Sequence, residues 1–488
     1  MNRNHSGNDE RRRILQGMAA GAMGAWLGPL LASNPKRTNM ADTKAGLTSK
    51  QLDAATRALA EARYAPRLFE RSLGMGWAAN TVNTAIYRAS GLLTTKSYQF
   101  GAFHTTEGSI RTFNRALDSG EITFGGVKTD ISLADAHNIV SLGIDAGGKL
   151  HMAFGKHNGA LNYYRSAQPF AVDAWQSADM TGNKEGTFTY PIFLSRNVDG
   201  ASLVFLHRDG SAVNAGIRMK VYDEQEEKWS DLEFPLLSGE ASQPTSCPYL
   251  NTPVVDKDGK IHLFFTWRTA SNPPTGRVRN HNLGYISSSD ASLTAWSASN
   301  GSLYSLPVTP VTSETALGTT PAANLMNQGG AAVDAKGHVF AASYMDHPDG
   351  WPQYFLLWRD ADGWRKRWIR TPKIEFALLG KGTLRLPISR PALAADRHGT
   401  IWMIFRAAFT GDRLAALPLR APNYEADWTG FLILFPDPVG MSEPVIDSSR
   451  LVRDGILSLL VQNSDQGNNE GLGASAEAEV RVIDVALG

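Results

Sequence analysis

The chemistry-bearing residues of this chain crowd into one stretch. Asp135-Ala136-His137-Asn138 is followed by Asp145, His151, Phe154 and His157, and then by Leu161-Asn162-Tyr163-Tyr164-Arg165-Ser166. Histidine changes charge near neutral pH, so histidines gathered with Asp, Tyr and Arg suit proton transfer. Acid–base work by a pair of carboxylates asks for two free acidic side chains. This stretch offers only Asp135 and Asp145, and Asp145 belongs to a turn motif. The single Cys247 excludes an intrachain disulfide framework and a thiolate zinc knuckle, which need cysteines in sets.

The elements that must position these groups read as strands. A motif recurs in which Asp and Gly make a turn and an apolar strand follows. It starts at Asp145, Asp199, Asp258, Asp334, Asp396 and Asp454, with a spacing of about sixty residues, the size of a four-stranded propeller blade. Six copies and the unmarked segment from Trp77 to Thr129 make seven blades. The fold class is therefore all-β, a seven-bladed β-propeller over 77–488, with a pair of β-sandwiches as the competing architecture. His151 and His262 sit inside the repeated motif and read as core histidines. The composition agrees: 42% hydrophobic residues exclude a disordered chain, and 46 Gly with 20 Phe, 13 Tyr and 12 Trp suit short strands and many turns. A formal charge of +1 provides no global field for nucleic acid or an anionic membrane, so an anionic substrate must be gripped locally.

Ahead of the strands lie two further segments. Arg11-Arg12-Arg13 precedes an uncharged run rich in Gly, Ala, Met and Leu that is broken by Pro29. This reads as a twin-arginine export signal over 1–40, too short and too broken for a spanning helix, and it places the mature protein in the periplasm or beyond with no stable membrane span. Thr48-Ser49-Lys50-Gln51 has the form of a capping box, and Leu52, Ala55, Leu59 and Ala62 follow at helical spacing, predicting a helix within 41–76 that ends before Pro66.

The run D-x-H-N, then G-I-D-x-x-G-x-L-H-x-x-F, then His157, then L-x-Y-x-R-S resembles a seven-bladed, BNR-repeat-containing family. That family includes ulvan lyases, lyases cutting rhamnose–glucuronate linkages, and an α-L-rhamnosidase acting on gum arabic. Further stretches agree with it: Thr189-Tyr190-Pro191 with Arg208-Asp209-Gly210; Tyr249, Asn251, His262, Trp267 and Arg268; Asn280-His281-Asn282; Asn327-Gln328; and Ser389-Arg390-Pro391. The resemblance implies an exported polysaccharide lyase acting on an acidic polysaccharide or oligosaccharide by β-elimination. That reaction needs the uronate carboxylate neutralised, a base for the adjacent carbon-bound proton, and an acid for the departing oxygen.

By the same resemblance His137, His157, Tyr190, Arg208 and Tyr249 form the catalytic set. Tyr190 and His137 share the base and acid roles, His157 and Tyr249 assist, Arg208 holds the carboxylate, and Asn138, Arg268 and Arg390 bind substrate. Each has a plainer alternative: a turn cap for His137, a loop histidine for His157, packing aromatics for Tyr190 and Tyr249, and a pair with Asp209 for Arg208. The elimination requires no cofactor. A structural zinc or calcium ion is implied at His281 and Asn327, a thin donor set without a cysteine or carboxylate.

The chain departs from the family at Ser211 to Gly216, at His207 and at Gly155-Lys156, which bears on substrate identity. Retention of both His137 and His157 favours a lyase over the rhamnosidase branch. The other readings are a hydrolase of the rhamnosidase type, a non-catalytic carbohydrate-binding propeller, and sialidase-like chemistry, for which no arginine triad can be assembled.

Overall fold

The computed structural model describes residues 49–196, 202–211, 215–240, 242–269, 276–290 and 292–487. The twin-arginine segment, Thr48 of the capping box and the Asp199-Gly200 turn lie outside the described residues. Among the described residues no helix is long and apolar enough to cross a membrane.

Seven sheets, antiparallel except where Arg63–Tyr64 pairs with Leu432–Ile433, follow one another along the chain. Blade one runs from Leu92–Thr94 to Ile122–Lys128, blade two from Val140–Ile144 to Trp175–Ser177, and blade three from Phe188–Leu194 to Lys228–Asp231. Blade four begins with Ser246–Leu250, blade five with Ala331–Val333, blade six with Ala392–Ala395 and blade seven with Val445–Asp447. Strands in the middle of a blade are covered on both faces by neighbouring blades, so they are continuous apolar runs. Leu150–Gly155 and Ile401–Arg406 are buried at every position. Outer strands such as Ile122–Lys128 are half exposed.

Seven apolar clusters hold the ring, one between each pair of consecutive blades. Phe100 and Ile110 of blade one meet Leu142 and Met152 of blade two, and so on around to Leu92 and Phe113, which meet Leu460 and Val482 of blade seven. Backbone hydrogen bonds also close the ring. The strand Arg67–Trp77 pairs antiparallel with Glu477–Ala486 and supplies the outermost strand of blade seven. The propeller therefore starts ten residues before the Trp77 boundary read from the sequence. Two register shifts in this pairing, at Arg67/Phe69 and Ser72/Gly74, blur the two-residue alternation that would have marked the strand. The helix Ser49–Ala60 sets Ala55 into the cluster between blades five and six.

The recurrent turn has one geometry in four blades. At Asp145, Asp256, Asp334 and Asp396 the carboxylate accepts a backbone N–H four residues on, at 2.8–2.9 Å, and a glycine in the left-handed region closes the turn. In blade four the turn-forming residue is thus Asp256, not Asp258. Asp454-Gly455 is not such a turn: Gly455 caps the short helix Ser449–Asp454.

Where blade five meets blade six the backbones touch. Gly330 donates to Pro391 O at 2.7 Å, and a Cβ on it would lie 2.6 Å from that oxygen and 2.7 Å from Leu393 N. Gly330→Ala is expected to destabilise the fold by about 1–3 kcal/mol, read as a lower urea midpoint with an unchanged slope.

Candidate active site

The five residues of the proposed catalytic set come together at one end of the central channel. His137 lies in the loop leading into the inner strand of blade two, and His157 in the loop after its second strand. Tyr190 is on the inner strand of blade three, Arg208 on the strand beside it, and Tyr249 on the inner strand of blade four. A floor beneath them is formed by Val82, Ala85, Tyr87, Ile139 and Cys247. Cys247 is a buried packing residue.

Asp135 organises the histidines. One carboxylate oxygen accepts from the His137 backbone N–H at 2.8 Å and lies 2.6 Å from His137 Nδ1. The other lies 2.9 Å from His157 Nδ1. The imidazoles stack at 4.2 Å between centroids. With Nδ1 committed as donor, each histidine presents Nε2 as its basic nitrogen. His157 Nε2 accepts from Arg208 at 3.1 Å, whereas His137 Nε2 has no protein partner among the described residues. His137 is the nitrogen base left open.

Glu470, from a loop of blade seven, stands 3.0 Å from the same His137 Nδ1. It also accepts from the Thr383 backbone N–H at 2.6 Å. Burial alone would lower the pKa of His137, but its bonds to Asp135 and Glu470 outweigh that and raise it. Burial lowers that of His157, with Asp135 opposing and His137 and Arg208 adding to the fall. Asp135 itself is burdened by desolvation, yet its two histidines hold it far below the usual carboxylate range. Two neighbouring histidines are thereby driven apart in basicity.

Tyr190 is held in a strained conformation. Its φ is +59°, a value unusual for a bulky residue and most of all before a proline, and the sheet register breaks between Thr189 and Ile192. The bulge turns the ring onto the Arg208 guanidinium, 4.9 Å from its centroid, with Tyr87 and Tyr249 at its edges. Its hydroxyl makes no hydrogen bond among the described residues. Burial raises its pKa, only partly offset by Arg208, so the group is a neutral phenol.

Two guanidiniums share the Tyr249 hydroxyl, Arg208 at 3.4 Å and Arg268 at 3.1 Å. The other partners of Arg208 are His157, Asn158 and Thr189, and those of Arg268 are Asn280 and Asn327. All are neutral, and neither arginine has a carboxylate partner among the described residues. Arg208 is 1% exposed, so it charges the site from behind. Arg268 is only partly buried and is the cation a ligand can reach. The pairing of Arg208 with Asp209 does not occur; Asp209 binds Arg218 at 2.8 Å.

Three expectations change. Asn138 does not face a ligand: its amide donates to Ser132 O at 2.7 Å and accepts from His157 N at 2.7 Å, tying the two histidine loops together. Arg390 is neutralised by Glu443 at 2.9 Å. His281 and Asn327 do not form an ion site, because Asn327 Oδ1 accepts from the Arg268 cation at 3.0 Å and it is Asn280, not His281, that reaches it. Among the described residues the one group of His, Cys, Asp and Glu close enough to share an ion is Asp135, His137 and His157, with ligand atoms within 4.8 Å. Its Nδ1–carboxylate separations are those of hydrogen bonds, and Arg208 occupies the far nitrogen of His157, an arrangement suited to proton transfer rather than to a cation.

Glu470, Tyr87 and Glu443 were not legible as site residues. Asp135 was visible only as a candidate hydrolytic carboxylate, although its position two residues before His137 is the spacing of an Asx turn.

The dyad gives a pH prediction. A base must be unprotonated, so activity should rise with pH through the His137 pKa, and that limb of kcat/KM should lie above the ordinary imidazole value of 6.5. Asp135→Asn removes one of the two groups that raise this pKa and leaves Glu470 alone to oppose burial. The limb should move to lower pH while kcat falls about 10²-fold or more, as a pH–rate profile would show.

Comparison with known proteins agrees with the fold. A family model described as "BNR repeat-containing family member" matches residues 98–371. Two solved structures of an ulvan lyase, described as a new family of polysaccharide lyase, superpose with TM-scores of 0.62 and 0.63 at 14% identity. Each match covers 82% of this chain and 97% of the other, and the first was solved bound to -[GlcA(1-4)Rha3S]-. No curated protein sequence matches the chain.

Proposed function

Because the chain belongs to the BNR repeat-containing family, we propose that it is a polysaccharide lyase that cleaves uronate-containing polysaccharide by β-elimination. One observation carries the reading. Two arginines that have no carboxylate partner among the described residues flank the Tyr249 hydroxyl, beside an imidazole base and a phenol that are likewise open there. Uncompensated guanidiniums in a partly dry site favour an anion, and a uronate carboxylate is the anion whose neutralisation acidifies the adjacent carbon.

In this mechanism the uronate carboxylate lies against Arg268, with Arg208 behind it. His137 Nε2 takes the proton from C5, and the electron pair forms the C4–C5 double bond as the C4–oxygen bond breaks. The Tyr190 hydroxyl gives its proton to the departing oxygen. His137 holds the basic role because Asp135 fixes its tautomer and strengthens it, and Tyr190 the acidic role because it is neutral and unpartnered. The products are an unsaturated uronate end and a new reducing end.

Hydrolysis by a carboxylate pair is disfavoured. Asp135 and Glu470 both spend themselves on one nitrogen of His137 and leave no separated acid and base. The ulvan lyase likeness supports a substrate in which glucuronate adjoins rhamnose, and the twin-arginine pattern supports an exported enzyme. Reducing the uronate carboxyls of a cleaved polymer to alcohols should abolish turnover. Undiminished cleavage of the reduced polymer would defeat the assignment.

A further inference from the structure

On the face of the propeller away from the catalytic residues, an open cleft of about 1330 Å³ lies between blades five and six. Strand direction places it there. The second strand of blade two, Leu150–Gly155, runs from the Asp145 turn to the loop that carries His157. The Asp334 and Asp396 turns precede the corresponding strands, Val339–Asp346 and Ile401–Arg406, and so lie at the opposite end from the catalytic groups. Residues of both turns line the cleft, with Arg359 and Asp360 at the end of the third strand of blade five and the loop of blade six that holds Pro422 and Tyr424.

The same place between blades two and three is closed by carboxylates. The loop after the third strand of blade three lays Glu224 on the Asp145 turn, where it accepts from Ala146 N at 3.1 Å, and Glu227 binds Lys149 at 3.1 Å and Arg165 at 2.6 Å. At the blade-four turn Lys257 is paired with Asp258 at 2.7 Å. Between blades five and six the corresponding loop brings an aromatic ring instead. Tyr424 packs edge-on against Phe340 and Trp358, each at 5.0 Å between centroids. The exposed Lys336 and Arg397 and the half-buried Arg359 have no carboxylate partner among the described residues; Arg397 meets His398, and Arg359 meets Ser299. The acids nearby are committed elsewhere. Asp334 serves its own turn and His338 at 2.9 Å, Asp360 binds Arg365 at 2.7 Å, and Glu425 faces Arg367 at 3.5 Å.

Three unanswered cations in one concave lining favour an anion, and the partly exposed Trp358 ring beside them offers a face to a sugar. The volume exceeds the roughly 300–1,000 Å³ of a small-molecule pocket, which suits several linked units rather than one. A flat membrane cannot enter a cleft between two blades, and a formal charge of +1 supplies no wider field for nucleic acid. We propose that this cleft is a second binding site for acidic polysaccharide, holding a stretch of polymer remote from the catalytic channel, with its anionic groups on Lys336, Arg397 and Arg359. That the polymer is the enzyme's own substrate rests on the lyase reading. Two sites on one chain raise the affinity for long polymer without any new contact at the catalytic residues.

The test uses the full chain carrying Tyr190→Phe, with and without Lys336→Gln and Arg397→Gln together, and measures affinity for a glucuronate–rhamnose polymer and for a tetrasaccharide of the same sugars. Both substituted positions are exposed, so the fold should be unchanged. The pair should weaken binding of the polymer by about tenfold or more, and that of the tetrasaccharide, held in the catalytic channel, by less than about twofold. Unchanged polymer affinity, or an equal loss on the tetrasaccharide, would overturn the proposal. So would an equal loss from Lys228→Gln with Lys257→Gln, which would show an effect of bulk charge, or tighter binding of oligothymidylate at the same two residues. Failure of the lyase reading is separately visible. The wild-type chain would then form no unsaturated product from the tetrasaccharide, while polymer affinity still fell with the Lys336 and Arg397 substitutions.

Discussion

Tyr190→Phe should lower kcat by about 10³-fold, within the span that positioned acids and bases contribute, while leaving the fold intact. The reasoning is local. The ring carries the packing: it lies on Arg208 and meets Tyr87 and Tyr249 edge-on, and phenylalanine keeps all of that. The hydroxyl has no hydrogen-bond partner among the described residues, so its loss leaves no buried group unpaired. A loss in kcat with KM held to within about threefold would mark an interaction made only in the transition state. The urea midpoint should not move. A residue that merely filled space between blades would show the opposite, a near-normal kcat.

Arg268→Gln should lower kcat/KM by about 10²–10³-fold. Glutamine retains an amide donor toward Asn280 and Asn327 but removes the charge a ligand can reach. The effect should fall on KM as well as kcat, because the carboxylate is bound in the ground state and draws more strongly on the guanidinium as its carbon loses a proton. Arg208→Lys keeps the charge but loses the planar fork that serves His157, Asn158, Thr189 and Tyr249 at once. Its deficit should therefore appear mainly in kcat. If Arg268→Gln bound and turned over substrate normally, the carboxylate would have to be held elsewhere.

The propeller was readable because four of its blades turn in the same way. Asp145, Asp334 and Asp396 each spend a carboxylate on the N–H four residues later, and that demand recurs as a pattern in the sequence. In blade four two aspartates precede Gly259, and only the geometry shows that Asp256 makes the bond. The resemblance could single out His137, His157, Tyr190, Arg208 and Tyr249, which the structure brings together, because they lie in strands and short loops whose neighbours are recognisable. It misread Asn138, whose amide is consumed by backbone groups, and His281 with Asn327, where a guanidinium takes the place of an ion.

Glu470 left no trace in the sequence. It reaches His137 from a loop more than three hundred residues further along the chain, and nothing in Asn468-Asn469-Glu470-Gly471 announces a partner. Convergence of that kind is created by ring closure. Only when Arg67–Trp77 pairs with Glu477–Ala486 does blade seven come round to lie one blade away from blade two. The strain at Tyr190 was equally silent, since Tyr-Pro reads as an ordinary extended dipeptide until the bulge is seen.

The central claim is the elimination itself, and it is tested most directly by following ultraviolet absorbance and released reducing ends together while the wild-type protein acts on unsulfated and sulfated glucuronate–rhamnose polymers. Absorbance rising in proportion to reducing ends, and absent with Tyr190→Phe, is the predicted result, because each cleavage leaves one conjugated uronate. Reducing ends without absorbance would contradict the account, making the protein a hydrolase and removing His137 and Tyr190 from the roles given to them.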